Sequence, residues 1–376
     1  MQLSIVILNY NVRYFLELCL QSVQKAIQKL DAEIIVIDNN SPDDSCAMVK
    51  QQFPKVVLIE NKENVGFAKA NNQAVKIAKG EYICILNPDT VVTENTFIEC
   101  LNKAESLPNL GLLGVQLIDG KGKFLPESKR NLPTPKVSFF KILGKKFHDF
   151  APYYVNSISP GGEGEIPVLV GAFMFCKKAV YEKVGGFDED YFMYGEDIDL
   201  SYKILKAGYK NYYFGAESII HFKGESTLKD ATYRKRFYGA MKLFYKKHFK
   251  SSFLINSLIY TGIKLSSLLQ ITSKSSNKIR FYQSYLISDN NFILHALQKK
   301  VEYSVKIISA EALKNLPEND QPQCCFLDLN YLSFLNAIQI ISTYKKNHLY
   351  FRWIPKNNSY ALGSDTSTGQ GEIIHF

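Results

Sequence analysis

Short apolar runs rich in β-branched residues, each followed by a helical pattern, occupy the first quarter of the chain. Leu3–Leu8, Glu33–Ile37, Val56–Ile59 and Glu81–Leu86 read as strands. Their continuous apolar character is that of strands buried on both faces. A helical spacing runs through Phe15, Leu18, Cys19, Val23 and Ile27. A second helix follows the polar loop Asn39 to Ser45. A third, opened by Asn64–Gly66, runs from about Phe67 to Ala78. Strand and helix alternating at this spacing give βαβ units and a parallel sheet. Crossovers in such sheets are right-handed, and ligands sit at the carboxyl ends of the strands. Asn9, Asp38 and Asp89 each stand just past a strand end, so three polar groups are expected to converge on one crevice.

Further along, residues 115 to 165 are rich in Pro, Gly, Lys and aromatics and read as long loops over that crevice. Val168–Cys176 reads as a strand interrupted by Gly171-Ala172. Gly185-Gly186-Phe187-Asp188 and Gly195-Glu196-Asp197-Ile198-Asp199 follow. A helix through Leu200, Ile204 and Leu205 is expected to end at Gly208. A strand Ser218–Ile220 then delivers His221. Arg234 to Lys250 is strongly basic and precedes an apolar helix with Ile255, Leu258, Ile259, Gly262, Leu265 and Leu269 on one side. Strands are expected again at Tyr303–Ile308, Cys324–Leu329, Leu349–Ile354 and Tyr360–Gly363, with a helix from Tyr331 to Thr343. The organisation expected is a catalytic domain over 1–250, an amphipathic helical linker over 251–284 and a small α/β domain over 285–376. No catalytic constellation is visible in the last of these.

A length of 376 residues suits two domains, or one with an appendage. With 46% apolar and 22% charged residues the chain is globular, and disordered and collagen-like classes are excluded. A net charge of +9 suits an anionic ligand, an anionic membrane surface or nucleic acid, and chooses none by itself. The seven cysteines form no C-x-x-C pair, and an odd count without a framework points to reduced thiols in the cytoplasm. Cys84, in an apolar run, reads as packing. The N-terminus lacks the basic leader of a signal peptide, and no stretch of about 20 uncharged apolar residues occurs. Lys242, Lys246, Lys247 and Lys250 before an amphipathic face fit a helix lying on the inner face of an anionic membrane. The alternative is a helix packed on the catalytic domain or on a second subunit. The sequence sets no oligomeric state.

Individual residues have both chemical and structural readings. A carboxylate at Asp38 can accept the imide N3–H of uracil or thymine, which cytosine lacks, and Tyr10 offers a face for stacking. Asp38 could equally cap the next turn with Ser41 and Asp43. Asp89 suits a hard divalent cation bridging two phosphates, or is a turn residue after Asn87-Pro88. Gly66 would let the backbone approach a ligand, with helix amides aimed at a diphosphate. Glu196, Asp197 and Asp199 are either favourable charge at a helix start or include a general base for a sugar hydroxyl. His221 is a core residue or, paired with Asp89, a metal ligand that tilts the site toward Mn²⁺.

Taken in order, Ser4-Ile5-Val6-Ile7-Leu8-Asn9-Tyr10-Asn11, Val36-Ile37-Asp38-Asn39-Asn40-Ser41, Asn64-Val65-Gly66-Phe67, Asn87-Pro88-Asp89 and Gly195-Glu196-Asp197 resemble glycosyltransferase family 2 over about residues 1 to 250. The subgroup most resembled includes bacterial rhamnosyltransferases of surface-polysaccharide assembly. The resemblance implies a GT-A type fold, a Rossmann-like, mostly parallel α/β sheet flanked by helices, and inversion at the anomeric carbon. It places Leu8, Tyr10 and Asp38 around the donor's base, with Asn11 beside them. Gly66 and Asn72 fall near the ribose and diphosphate. It makes Asp89 the metal-binding carboxylate of the Asp-x-Asp motif, whose first position is Asn87 here, so the donor site has one fewer negative charge. Asp197, in the pair with Glu196, becomes the base, and His221 a ligand for Mg²⁺ or Mn²⁺.

The expected function is transfer of a sugar, with rhamnose a candidate, from a dTDP- or UDP-sugar to a hydroxyl of a glycan or lipid-linked acceptor. Peripheral membrane contact belongs to this reading and a nucleic-acid partner does not. A sugar-1-phosphate nucleotidyltransferase would need a Gly-rich, Arg-containing loop by the first strand, which Leu8 to Leu16 does not supply. A non-catalytic nucleotide-sugar-binding or scaffold protein would be expected to have lost Asp89, Glu196 or Asp197, all present here.

Overall fold

A computed structural model gives the fold and describes residues 1–134, 137, 152–225, 231–249, 279–316, 321–357, 359–366 and 369–376. The chain opens with β1 (Leu3–Asn9), α1 (Arg13–Ala26), β2 (Ala32–Asp38), α2 (Ser45–Gln52), β3 (Val57–Glu60), α3 (Phe67–Ile77) and β4 (Tyr82–Leu86). These strands pair in parallel in the order β3-β2-β1-β4. Alternate residues of β1 serve opposite layers. Leu3, Ile5 and Ile7 pack with Leu16, Cys19 and Leu20 of α1, while Val6 packs with Ala68, Ala70 and Ala74 of α3. Burial on both faces is what made these strands continuous apolar runs.

The same sheet continues through β5 (Thr90–Val91), α4 (Thr96–Ser106), β6 (Leu110–Ile118), β7 (Glu163–Glu165), β8 (Phe173–Lys177), α5 (Lys178–Lys183), α6 (Glu196–Lys206), β9 (Lys210–His221) and α7 (Ala231–His248). Its order beyond β4 is β8-β6-β9-β5, with β7 on β9. β8 runs antiparallel to β4 and β6, so the sheet is mixed rather than wholly parallel. Several details differ from the sequence reading, three of them instructive. The strand expected over Val168–Cys176 starts only at Phe173, after the Gly171-Ala172 break. β9 is twelve residues long, far beyond Ser218–Ile220. β6 went unread because Gly111 and Gly114 interrupt its pattern. Each glycine lies under a neighbouring side chain, with an added Cβ 2.2 Å from Ile204 Cγ2 and 2.3 Å from Leu169 Cδ2. Glycine inside a strand marks such close approach. Gly208, at φ 87°, ends α6 as expected.

A second sheet is built from β10 (Gln283–Ile287), α8 (Asn291–Lys300), β11 (Ser304–Ile307), β12 (Gln323–Asp328), α9 (Phe334–Thr343), β13 (Leu349–Ile354), β14 (Tyr360–Gly363) and β15 (Glu372–His375). Its order is β11-β10-β12-β13-β14-β15, parallel through β13 and antiparallel after it. The apolar helix expected from Ile255 to Leu269, and most of the expected 251–284 linker, lie outside the described residues. Among the described residues no helix is long and apolar enough to cross a membrane. α7 packs Ala240, Phe244 and Tyr245 against Val168, Tyr191 and Ile198. Lys247, one of the lysines expected to face a membrane, pairs instead with Asp188 and Asp190. All seven cysteines are free, and Cys84 lies in the core.

The two sheets share one apolar cluster. Phe15, Val91, Ile220 and Phe222 from the first meet Phe334, Ile341, Phe351 and Trp353 from the second. Polar contacts cross the same joint. Glu94 accepts the first amides of α9, Phe334 N–H and Leu335 N–H, each at 2.8 Å. Lys121 Nζ donates to Asn347 O at 2.8 Å and lies 3.7 Å from the Tyr350 ring centre. A carboxylate satisfying the open amides of a helix is worth about 1–2 kcal/mol. Glu94→Ala should lower the unfolding free energy by about that amount, read as a lower urea midpoint at unchanged slope.

Candidate active site

At the end of β4 the chain turns through Asn87 and Pro88 into β5. Asn87 N–H donates to Ala172 O at 3.0 Å, and Thr90 Oγ1 donates to Asn87 O at 2.8 Å. β5 pairs antiparallel with the end of β9, Thr90 opposite His221, and Phe222 N–H donates to Asp89 O at 3.0 Å. This pairing sets His221 Nε2 3.4 Å from Asp89 Oδ1, both residues being buried. His221 Nδ1 is buried and has no hydrogen-bond partner among the described residues.

The acidic pair opens α6 behind two residues of positive φ, Tyr194 at 70° and Gly195 at 85°. Asp197 Oδ2 accepts Arg130 Nη2 at 2.6 Å and Gly171 N–H at 3.2 Å, while Oδ1 accepts Ile198 N–H at 2.8 Å. Arg130 also donates to Leu169 O at 2.6 Å. Its burial works against its charge, but Asp197 more than compensates and keeps the guanidinium firmly protonated. Glu196 is the opposite case. Burial, and then the neighbouring charge of Asp197, push its carboxyl well above the usual range, and its Oε2 has no partner among the described residues. Adjacent carboxyls thus sit in opposed environments, the arrangement that separates acid from base in an active site.

A cavity of about 320 Å³ lies between these two groups of residues. Of the residues singled out from the sequence, Leu8, Tyr10, Asn87, Asp89, Glu196, Asp197 and His221 line it. Asn11, Asp38, Gly66 and Asn72 do not. Asn11 has left-handed backbone, and its N–H donates to Ser41 Oγ at 2.9 Å. Asp38 Oδ2 accepts Asn9 Nδ2 at 2.7 Å and Ser41 Oγ at 2.6 Å, while Oδ1 accepts Ser41 N–H at 2.8 Å. That is the turn-capping alternative. Gly66, at φ 88°, is required by the protein itself, since an added Cβ would stand 2.6 Å from Phe192 O. Asn72 organises the Tyr181–Glu189 segment, accepting Tyr181 OH at 2.6 Å and donating to Phe187 O at 2.9 Å.

Glu127, Arg130, Tyr153, Lys223, Tyr233 and Phe237 also line the cavity and were not singled out. Arg130 stands in the loop-rich stretch, where no periodicity gives a side chain a direction. Its main chain bridges to Val168, and that contact aims it at Asp197.

The family model for glycosyl transferase family 2 matches residues 4–185. Residues 4–185 form a family 2 glycosyltransferase domain. A model described as the N-terminal domain of galactosyltransferase matches residues 152–225, which include Glu196, Asp197 and His221. The mostly parallel sheet flanked by helices is the α/β arrangement that the family resemblance implied. This glycosyltransferase is similar to the N-acetylglucosaminyl-diphospho-decaprenol L-rhamnosyltransferase of Mycobacterium tuberculosis, at 27% identity over 241 residues, covering 61% of this chain and 78% of that protein. It is also similar to the minor teichoic acid biosynthesis protein GgaB of Bacillus subtilis, at 24% identity, covering 92% of this chain and 34% of that protein. Among solved structures it is similar to the mannosyltransferase PcManGT from Pyrobaculum calidifontis in complex with GDP-Man and Mn²⁺, with TM-score 0.47 and 17% identity over 72% of this chain and 76% of that one.

Removing Arg130 would leave the Asp197 carboxylate buried without its cation. Arg130→Ala in this glycosyltransferase should cost about 3–5 kcal/mol of stability, measured by denaturant unfolding. A second expectation concerns pH. Glu225, buried beyond the end of β9, is pushed from 4.5 up to about 8 by burial. Its proton is held more tightly in the folded than in the unfolded chain. The stability this supplies is complete below 4.5 and is lost as pH rises through about 8. The melting temperature should therefore fall over that window, and Glu225→Gln, which cannot ionise, should flatten the fall.

Proposed function

We propose that this glycosyltransferase moves a sugar from a nucleoside-diphosphate donor to a hydroxyl of a growing surface glycan, with inversion at the anomeric carbon. The observation that carries the reading is one cavity lined both by the Asp89–His221 pair and by Glu196–Asp197. In it, Leu8 and Tyr10 receive the base of a dTDP- or UDP-sugar. Asp38 acts from behind them by holding Asn9 and Ser41.

The donor set fits a divalent cation. Asp89 offers a carboxylate oxygen and His221 an imidazole nitrogen 3.4 Å away. Two protein ligands suffice where diphosphate oxygens and water supply the rest, and the mixed set favours Mn²⁺ over Mg²⁺. Bound there, the cation would neutralise charge on the departing diphosphate.

Asp197 takes the proton of the acceptor hydroxyl as its oxygen attacks the anomeric carbon from the side opposite the diphosphate. Arg130 and Gly171 N–H hold that carboxylate in place. Tyr194, Tyr233 and Phe237 give the acceptor aromatic faces. Similarity to a protein named as a rhamnosyltransferase of a decaprenol diphosphate supports rhamnose as the sugar and a lipid-linked acceptor. Exposed Lys235, Arg236 and Lys246 on α7 support peripheral contact with an anionic membrane at the cytoplasmic face.

Asp197→Asn should lower kcat by about 10²–10⁴, with donor affinity unchanged. Thermal shift with dTDP- and UDP-sugars, with and without Mn²⁺, selects the donor for that assay. Turnover within about tenfold of the parent would move the base elsewhere, Glu196 being next to hand.

A further inference from the structure

The second sheet reaches the segment that carries His221. Beyond β9 the chain makes a turn with positive φ at both Lys223, 63°, and Gly224, 91°. Both residues line the cavity. Left-handed backbone at a lysine is strained and persists only where its surroundings impose it. On one side Lys223 Nζ pairs with the Glu127 carboxylate. On the other, Glu225 is buried, and its Oε2 accepts Gly371 N–H at 2.7 Å from the last loop of the chain.

That loop is held by a buried arginine. Arg352, fully buried in β13, places Nη1 2.7 Å from Asp365 Oδ1 and Nη2 3.1 Å from Glu372 Oε2, so one side chain grips both ends of the loop. Gly371 has no room for a side chain. A Cβ there would stand 2.6 Å from Phe15 Cζ, 2.7 Å from Gly363 O and 3.1 Å from Glu225 Oε1. Glycine is thus the residue that lets α1, β14 and the segment after His221 meet at one point.

We infer that the second sheet is a working part of the catalytic site, holding the His221–Gly224 segment along the cavity through the Gly371 amide and Glu225. Glu225 and Gly371 are positioning residues, since neither lines the cavity itself. The inference rests on reading that cavity as the donor site.

The test uses the full chain as parent, Glu225→Ala, Glu225→Gln and Gly371→Ala. Amide hydrogen exchange is followed over residues 221–225, and dissociation constants for UDP and dTDP are measured with Mn²⁺. Glu225→Ala and Gly371→Ala should speed exchange over 221–225 at least tenfold, with the body of β9 unchanged, and weaken the bound nucleotide at least fivefold. Glu225→Gln keeps an oxygen for the Gly371 amide and should stay within twofold of the parent in both. Unchanged exchange over 221–225, or a uniform rise across the whole chain, overturns the inference. If Glu225→Ala does not fold, Glu225→Asp, whose arm is one methylene shorter, is read the same way. A parent that binds neither nucleotide removes the donor reading, while the exchange result still decides whether the sheet holds the segment.

Discussion

The pairing of β5 with the end of β9 is short, yet the site depends on it. β5 is two residues long and follows directly from the Asn87-Pro88 turn, so its position is set by β4 in the parallel half of the sheet. β9 belongs to the other half, held by β6 and β7. Where the two meet, Asp89 from one half comes beside His221 from the other. The site is a seam between two halves of one sheet.

Across the cavity the organising contact is a buried ion pair. Burying a carboxylate is costly unless a cation and hydrogen-bond donors accompany it. Asp197 has all of these in Arg130, Gly171 N–H and Ile198 N–H. Glu196, one residue away, has an oxygen with no partner among the described residues, and burial pushes its carboxyl up instead.

The parallel strands were legible because burial on both faces writes itself as unbroken apolar runs, and Leu349–Ile354 and Tyr360–Gly363 were located to the residue. The residues at strand ends and at the start of α6 could be placed because the element fixes where they point. Arg130 and Tyr153 could not, since they hang from loops whose direction is set by distant partners. Gly66 and Asp38 show a different limit. Each stands where a ligand contact is expected, but the sequence alone cannot show that Phe192 crowds the one and Ser41 hydrogen-bonds the other.

The joint between the sheets also has a meaning in time. A chain made from its N-terminus finishes the first sheet at His221, long before Phe334 and Trp353 exist to cover Phe15, Val91 and Ile220. Until then a core-like apolar face stands open to water, with Glu94 waiting for a helix not yet synthesised. The last sheet is therefore the step that covers this face, and a chain released early would be exposed to aggregation at the surface that the finished molecule closes.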